Sequence, residues 1–147
     1  MMKLYLLFGL TLAILISATL QLSKTGFQLD PQAQDSISVV GPWSGRVWAR
    51  TQCSTSTGRF SCATADCGSD QVACKCNGKG GVPPATLAEF TIAENGGQDY
   101  YDISVKDGCN LPVSITPQGG AGQNCSSISC GANVNTVCPP ELAMGVS

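Results

Sequence analysis

Gly58-Arg-Phe-Ser-Cys-Ala-Thr-Ala-Asp-Cys67 is the stretch on which the reading of this 147-residue chain turns. It lies inside a longer segment, Gly45 to Asp107, that holds five of the nine cysteines and most of the acidic charge. Cys53 and Cys62 bracket a Ser/Thr/Gly-rich octet, the composition of a hairpin tip and not of a helix. Cys67 and Cys74 bracket a second short loop, and Cys76 follows two residues later. Cysteines this dense, with few helix signals, point to covalently stapled loops.

Composition narrows the chemistry. Successive spacings of 9, 5, 7 and 2 between these cysteines are not those of paired zinc knuckles, and the chain has no histidine. No metal and no cofactor is therefore expected, and a mechanism that needs a histidine base is excluded. Charged residues make up only 12% of the chain and its pI is near 4.8, which argues against a nucleic-acid partner. The N-terminus points to an oxidising compartment. A basic Met1-Met-Lys3 precedes an uncharged apolar run, Leu4 to Leu20, which at 17 residues is short for a membrane span of roughly 20. Residues 1–18 read as a signal peptide cleaved after about Ala18, and residues 19–147 as one secreted domain. Cleavage would leave 7 basic and 10 acidic residues, a net charge of −3. In such a compartment disulfides form, each short loop closure contributing roughly 2–3 kcal/mol. Nine is odd, so at least one thiol lacks a partner within the chain.

Alternation outward from the cysteine cluster predicts strands. Arg46, Trp48 and Arg50 fall on one face and Val47 and Ala49 on the other, after a turn at Trp43-Ser-Gly45. Upstream, Leu29-Asp30-Pro31 reads as a turn and Asp35–Val40 as a half-buried strand ended by Gly41-Pro42. Downstream, Ala85–Ala93 sets Leu87, Glu89 and Thr91 against Ala88, Phe90 and Ile92. Asn95-Gly-Gly97 is a hairpin turn into Tyr100–Val105, whose Tyr101, Ile103 and Val105 point inward and whose Asp102 points away. Pro112–Thr116 is a further short strand, and the region of Cys125, Cys130 and Cys138 shows little periodicity. Strands with turn signals at short intervals imply an all-β sandwich.

The central stretch resembles the signature of the thaumatin-like, pathogenesis-related proteins of plants. Gly58, Phe60, Cys62, Thr64, Ala65, Asp66, Cys67 and Cys74 match in order, and Asp70 stands where Gly is usual. Trp43-Ser-Gly-Arg-Val-Trp-Ala-Arg-Thr51, Pro83-Pro-Ala-Thr-Leu-Ala-Glu-Phe90, Tyr101-Asp-Ile-Ser, Asp107-Gly-Cys-Asn-Leu-Pro112 and Cys138-Pro-Pro-Glu-Leu142 extend the likeness. The resemblance implies a disulfide-stapled β-sandwich beside loop lobes, pairing Cys53 with Cys62 and Cys67 with Cys74. It implies an incomplete copy: the opening strand with its cysteine and the C-terminal lobe are missing. Cys76, Cys109, Cys125, Cys130 and Cys138 are then without family partners, and reduced stability is expected. The family's acidic cleft carries over at Arg46, Glu89, Asp102 and Asp107.

For function, the resemblance implies a secreted defence protein of the apoplast or vacuole. It would bind fungal cell-wall beta-1,3-glucan or a membrane component, with Trp48 or Tyr100 stacking on sugar rings. One alternative is weak endo-beta-1,3-glucanase activity, with Glu89 as proton donor and Asp102 or Asp107 as the second carboxylate. Another is a non-catalytic or inactive truncated interaction domain, with an intermolecular disulfide through spare thiols. Asn124-Cys125-Ser126 fits the glycosylation pattern, although glycosylation would compete with a disulfide at Cys125.

Overall fold

The structure is a computed structural model that describes residues 25–39, 41–74, 80–94, 96–120 and 125–131, and the backbone path of 12–18. Cys76, Cys138, Asn124 and residues 1–11 of the segment read as a leader lie outside the described residues. Eight strands and no helix are found among those described: β1 (Leu12–Ala18), β2 (Gly26–Leu29), β3 (Trp43–Ser56), β4 (Arg59–Thr64), β5 (Leu87–Ile92), β6 (Tyr100–Ser104), β7 (Val113–Ile115) and β8 (Ile128–Cys130). All pairings are antiparallel. The main sheet runs β2-β1-β3-β5-β6, with β4 also on β3, and β7 and β8 form a second, two-stranded sheet.

The 14-residue β3 organises the sheet. Its first half pairs with β1 on one side and β5 on the other. Its second half turns back through Thr57-Gly58 into β4, where Gly58 has a φ of 80°. The alternation read from the sequence holds through this centre. Val47 and Ala49 of β3, Ala88 and Phe90 of β5, and Val113 and Ile115 of β7 are buried in one cluster with Leu29 and Trp43. Trp43 and Phe90 lie with ring centroids 6.4 Å apart. The β7–β8 pair supplies the second layer over this face, so the architecture is the all-β, disulfide-stapled sandwich that the resemblance implies.

Several local expectations need correction. Asp35–Val39 forms no strand, although its alternating Ile37 and Val39 do pack, partly buried, on the core. Trp43–Gly45 is not a turn but the start of β3, held by pairing of Trp43 with Ile92. Gly26–Leu29 is a strand even though Gly26 reads as a breaker. Ile128–Cys130 pairs with Val113–Ile115 despite its weak periodicity, since three residues are too few to show one. Val105 is 43% exposed, because β6 ends at Ser104 and the chain turns away. The stretch Leu12–Ala18, inside the segment read as a leader, is paired as a strand between β2 and β3.

Candidate functional site

Because one face of β3, β5 and β6 is committed to the core, the intervening residues share the other face. Register then fixes their neighbours. Arg46 stands opposite Glu89, and Glu89 opposite Asp102. Three of the four cleft residues read from the sequence thus form one row across three strands. Arg46 Nε lies 3.9 Å from Glu89 Oε1, and both side chains are about two-fifths exposed (42% and 38%), so the pair faces solvent. Asp107, the fourth, lies beyond β6 in a turn, where its carbonyl accepts from Ala85 N at 2.9 Å. It is half-buried near the start of β5, at the end of the row's face where the loops gather.

Those loops form a wall at one end of the face. Cys53 and Cys62 are opposite residues of the β3–β4 hairpin and are disulfide-bonded, and Cys67 is bonded to Cys74. Both pairings are those that the resemblance implies. Asp66 holds the signature turn: its carboxylate accepts from Cys62 N and from Gly68 N, each at 2.6 Å. Ala65 N donates to Val82 O and Val82 N to Asp66 O, which ties this turn to the glycine strap at 80–82. Arg50, 1% exposed, reaches in from β3. Its guanidinium donates to the carbonyls of Gln71 and Val72 and lies 4.7 Å from the centre of the Phe60 ring. Asn110 fastens the arrangement from the far side. Its amide nitrogen donates to Ala49 O (2.8 Å) and Thr64 Oγ1 (2.9 Å), and its oxygen accepts from Thr86 N (3.0 Å).

Trp48 belongs to this wall and not to an open surface. It shares the face of Arg46, but Ala65, Cys74, Ala85 and Leu87 cover it, leaving 2% exposed. Its indole nitrogen donates to Ala65 O at 3.1 Å. The expectation that Trp48 stacks on a sugar is therefore corrected: the lobe uses its ring as a foundation. Tyr100, the other aromatic named for that role, is 60% exposed on β6. Sequence reasoning passed over Ser44 and Thr91, which extend the open face beyond Arg46 and Glu89. Alternation already sets Thr91 on the face of Glu89, and the register between β3 and β5 is what brings Ser44 beside it.

Of the spare thiols, Cys109 is buried, Cys125 is exposed and Cys130 is half-buried, and none of these three is disulfide-bonded. The thaumatin family model matches residues 8–147. The chain belongs to the thaumatin family. Thaumatin-like protein 1b of Malus domestica is 62% identical over 123 residues, covering 83% of this chain and 57% of that protein. A glucan endo-1,3-beta-glucosidase of Prunus avium is 61% identical over 123 residues, covering 83% and 49%. Among solved structures, the thaumatin-like xylanase inhibitor TLXI superposes with a TM-score of 0.59 at 27% identity, covering 85% of this chain and 87% of that one. This thaumatin-family chain spans about half the length of the curated relatives it matches, between 49% and 57% of the two named here.

Proposed function

We propose that this chain is a secreted plant defence protein that binds cell-wall beta-1,3-glucan through the row of Arg46, Glu89 and Asp102, with Asp107 beside it. The observation that carries the reading is the register that aligns the first three on one open face. Carboxylate oxygens accept hydrogen bonds from sugar hydroxyls, the guanidinium donates to them, and the row leaves both chemistries facing solvent. The leader-like N-terminus and the disulfides support export to the apoplast or vacuole. A membrane component is the other target this face could meet.

The test is a pull-down of the oxidised chain on insoluble beta-1,3-glucan. Glu89→Gln and Asp102→Asn together remove the acceptors' charge at nearly constant shape, and retention on the glucan is expected to fall by about tenfold or more. Undiminished retention would sink the reading.

A second reading, weak endo-beta-1,3-glucanase action, has its own support. Glu89 and Asp102 are directly opposite on neighbouring strands, a placement compatible with a carboxyl pair flanking a glycosidic bond. The Prunus avium relative is named for that reaction. Glu89 would donate the proton to the leaving oxygen, and Asp102 or Asp107 would be the second carboxylate. Release of reducing ends from laminarin, abolished by Glu89→Gln, separates hydrolysis from binding.

A further inference from the structure

The open face does not stop at the charged row. Two residues further along β3, β5 and β6, away from the disulfide wall, Ser44 stands opposite Thr91 and Thr91 opposite Tyr100. This second row carries no charge. Ser44 Oγ donates to Thr91 Oγ1 at 3.0 Å, so the threonine hydroxyl hydrogen remains to be donated outward. Beside it lies the Tyr100 ring, one of only three large hydrophobic side chains exposed among the described residues. Its hydroxyl is turned to Gln98 Oε1 at 3.4 Å, which leaves the ring as the row's contact surface. The neighbouring position on the wall side is closed: Trp48 and Leu87 occupy it and are buried. A ligand seated on the charged row can therefore extend in one direction along the strands, toward Tyr100.

We infer that Ser44, Thr91 and Tyr100 form a second sugar subsite, one step from the charged row and specific for an extended neutral polysaccharide. An aromatic face offers a platform for the apolar C–H face of a pyranose, and flanking hydroxyls engage its rim. The two rows are about 7 Å apart, twice the rise per residue of a strand. That separation brings them under neighbouring or next-neighbouring sugars of one chain lying along the strands. The charged row orients one sugar by its hydroxyls. The uncharged row reads whether the chain continues. Affinity then grows with chain length, and the growth depends on Tyr100.

This inference rests on the glucan reading of the charged row, and the experiment keeps the two apart. Laminaribiose and laminarihexaose are titrated into the full oxidised chain and into its Tyr100→Ala, Tyr100→Phe and Glu89→Gln variants. Tyr100 is exposed, so neither replacement disturbs the core. Tyr100→Ala is expected to weaken the hexasaccharide by about fivefold or more while the disaccharide stays within about twofold, and Tyr100→Phe is expected to restore the hexasaccharide. Equal weakening of both sugars, or none of either, overturns the second subsite. If Glu89→Gln alone lowers binding, the charged row stands and the Tyr100 row falls. If neither sugar binds the unaltered chain, both fall.

Discussion

Asp66 shows what single residues contribute here. One carboxylate accepts two backbone N–H groups at 2.6 Å and so holds the turn between two disulfides. Asp66→Ala leaves those donors without their charged acceptor, and a loss of about 2 kcal/mol is expected. Thermal unfolding reads this as a fall of about 4–8 °C. Next to it, Ala65 is fully buried with a φ of 56°, in the left-handed region that glycine enters freely and a residue with a Cβ does not. Full burial leaves room there for only a small side chain. Asp70, where Gly is usual, also has a φ of 56°, and it adds a contact that glycine cannot make: its carboxylate lies 3.0 Å from Arg59 Nη2. The pair is exposed, so its own contribution is small. Such residues were legible in the sequence as a motif, but their torsions were not. The fate of Trp48 was not legible either. Alternation places it on the face of Arg46, and only the lobe folded over it shows that the ring is covered.

Among elements, the glycine strap at 80–82 is the most sharply constrained. A Cβ on Gly81 would sit 2.5 Å from Ala65 O and 2.6 Å from the Trp48 indole nitrogen, so a side chain there pushes the strap off the lobe. Gly81→Ala is expected to cost about 1–3 kcal/mol and to shift tryptophan emission to the red, as water reaches Trp48. Because the neighbouring Gly80 lies beside Arg46, the same change is expected to loosen the charged row. Asn110 makes a different kind of link, joining the loop after β6 to Ala49 of β3, Thr64 of β4 and the start of β5. Asn110→Ala removes three hydrogen bonds from a part-buried site, and a loss of about 3 kcal/mol is expected in denaturant unfolding. Period-two reasoning recovered β5 and β6, since each packs one face against the core. It missed β2 and β8, which are short and are defined by their partners more than by their own pattern.

At the scale of the molecule, the disulfide frame is lopsided. The bonded cysteines among the described residues all lie between Cys53 and Cys74, whereas Cys109, Cys125 and Cys130 remain thiols. Exposure decides what each can do. Cys125 is open to another molecule, and Cys109 is buried against Thr86 and Leu111. Non-reducing electrophoresis of oxidised chain is expected to show a covalent dimer that Cys125→Ser removes and Cys109→Ser leaves in place. The sequence, through its family resemblance, implied the all-β class and both bonded pairs, and it named Arg46, Glu89 and Asp102, which the register sets in one row. It did not foretell how the row is extended by Ser44, Thr91 and Tyr100, because that needs the register between strands far apart in the chain.

The position of β1 makes timing matter. A strand at the margin of a sheet can be trimmed without loss to its neighbours, but β1 lies between two others, paired with Leu29–Gly26 on one side and Arg50–Gly45 on the other. A peptidase acting after Ala18 would cut at the point where this strand meets Gly45, and its removal would leave two rows of backbone groups without partners. With residues 1–18 read as a leader, these seven residues would carry two competing instructions, one for export and one for assembly. Whichever is executed first determines the product. If cleavage precedes folding, the chain emerges with a gap beside the strand that bears Arg46. If the sheet closes first, Leu12–Ala18 persists as a paired strand of the product. The intact mass of folded, oxidised chain recovered after export records the order of the two events.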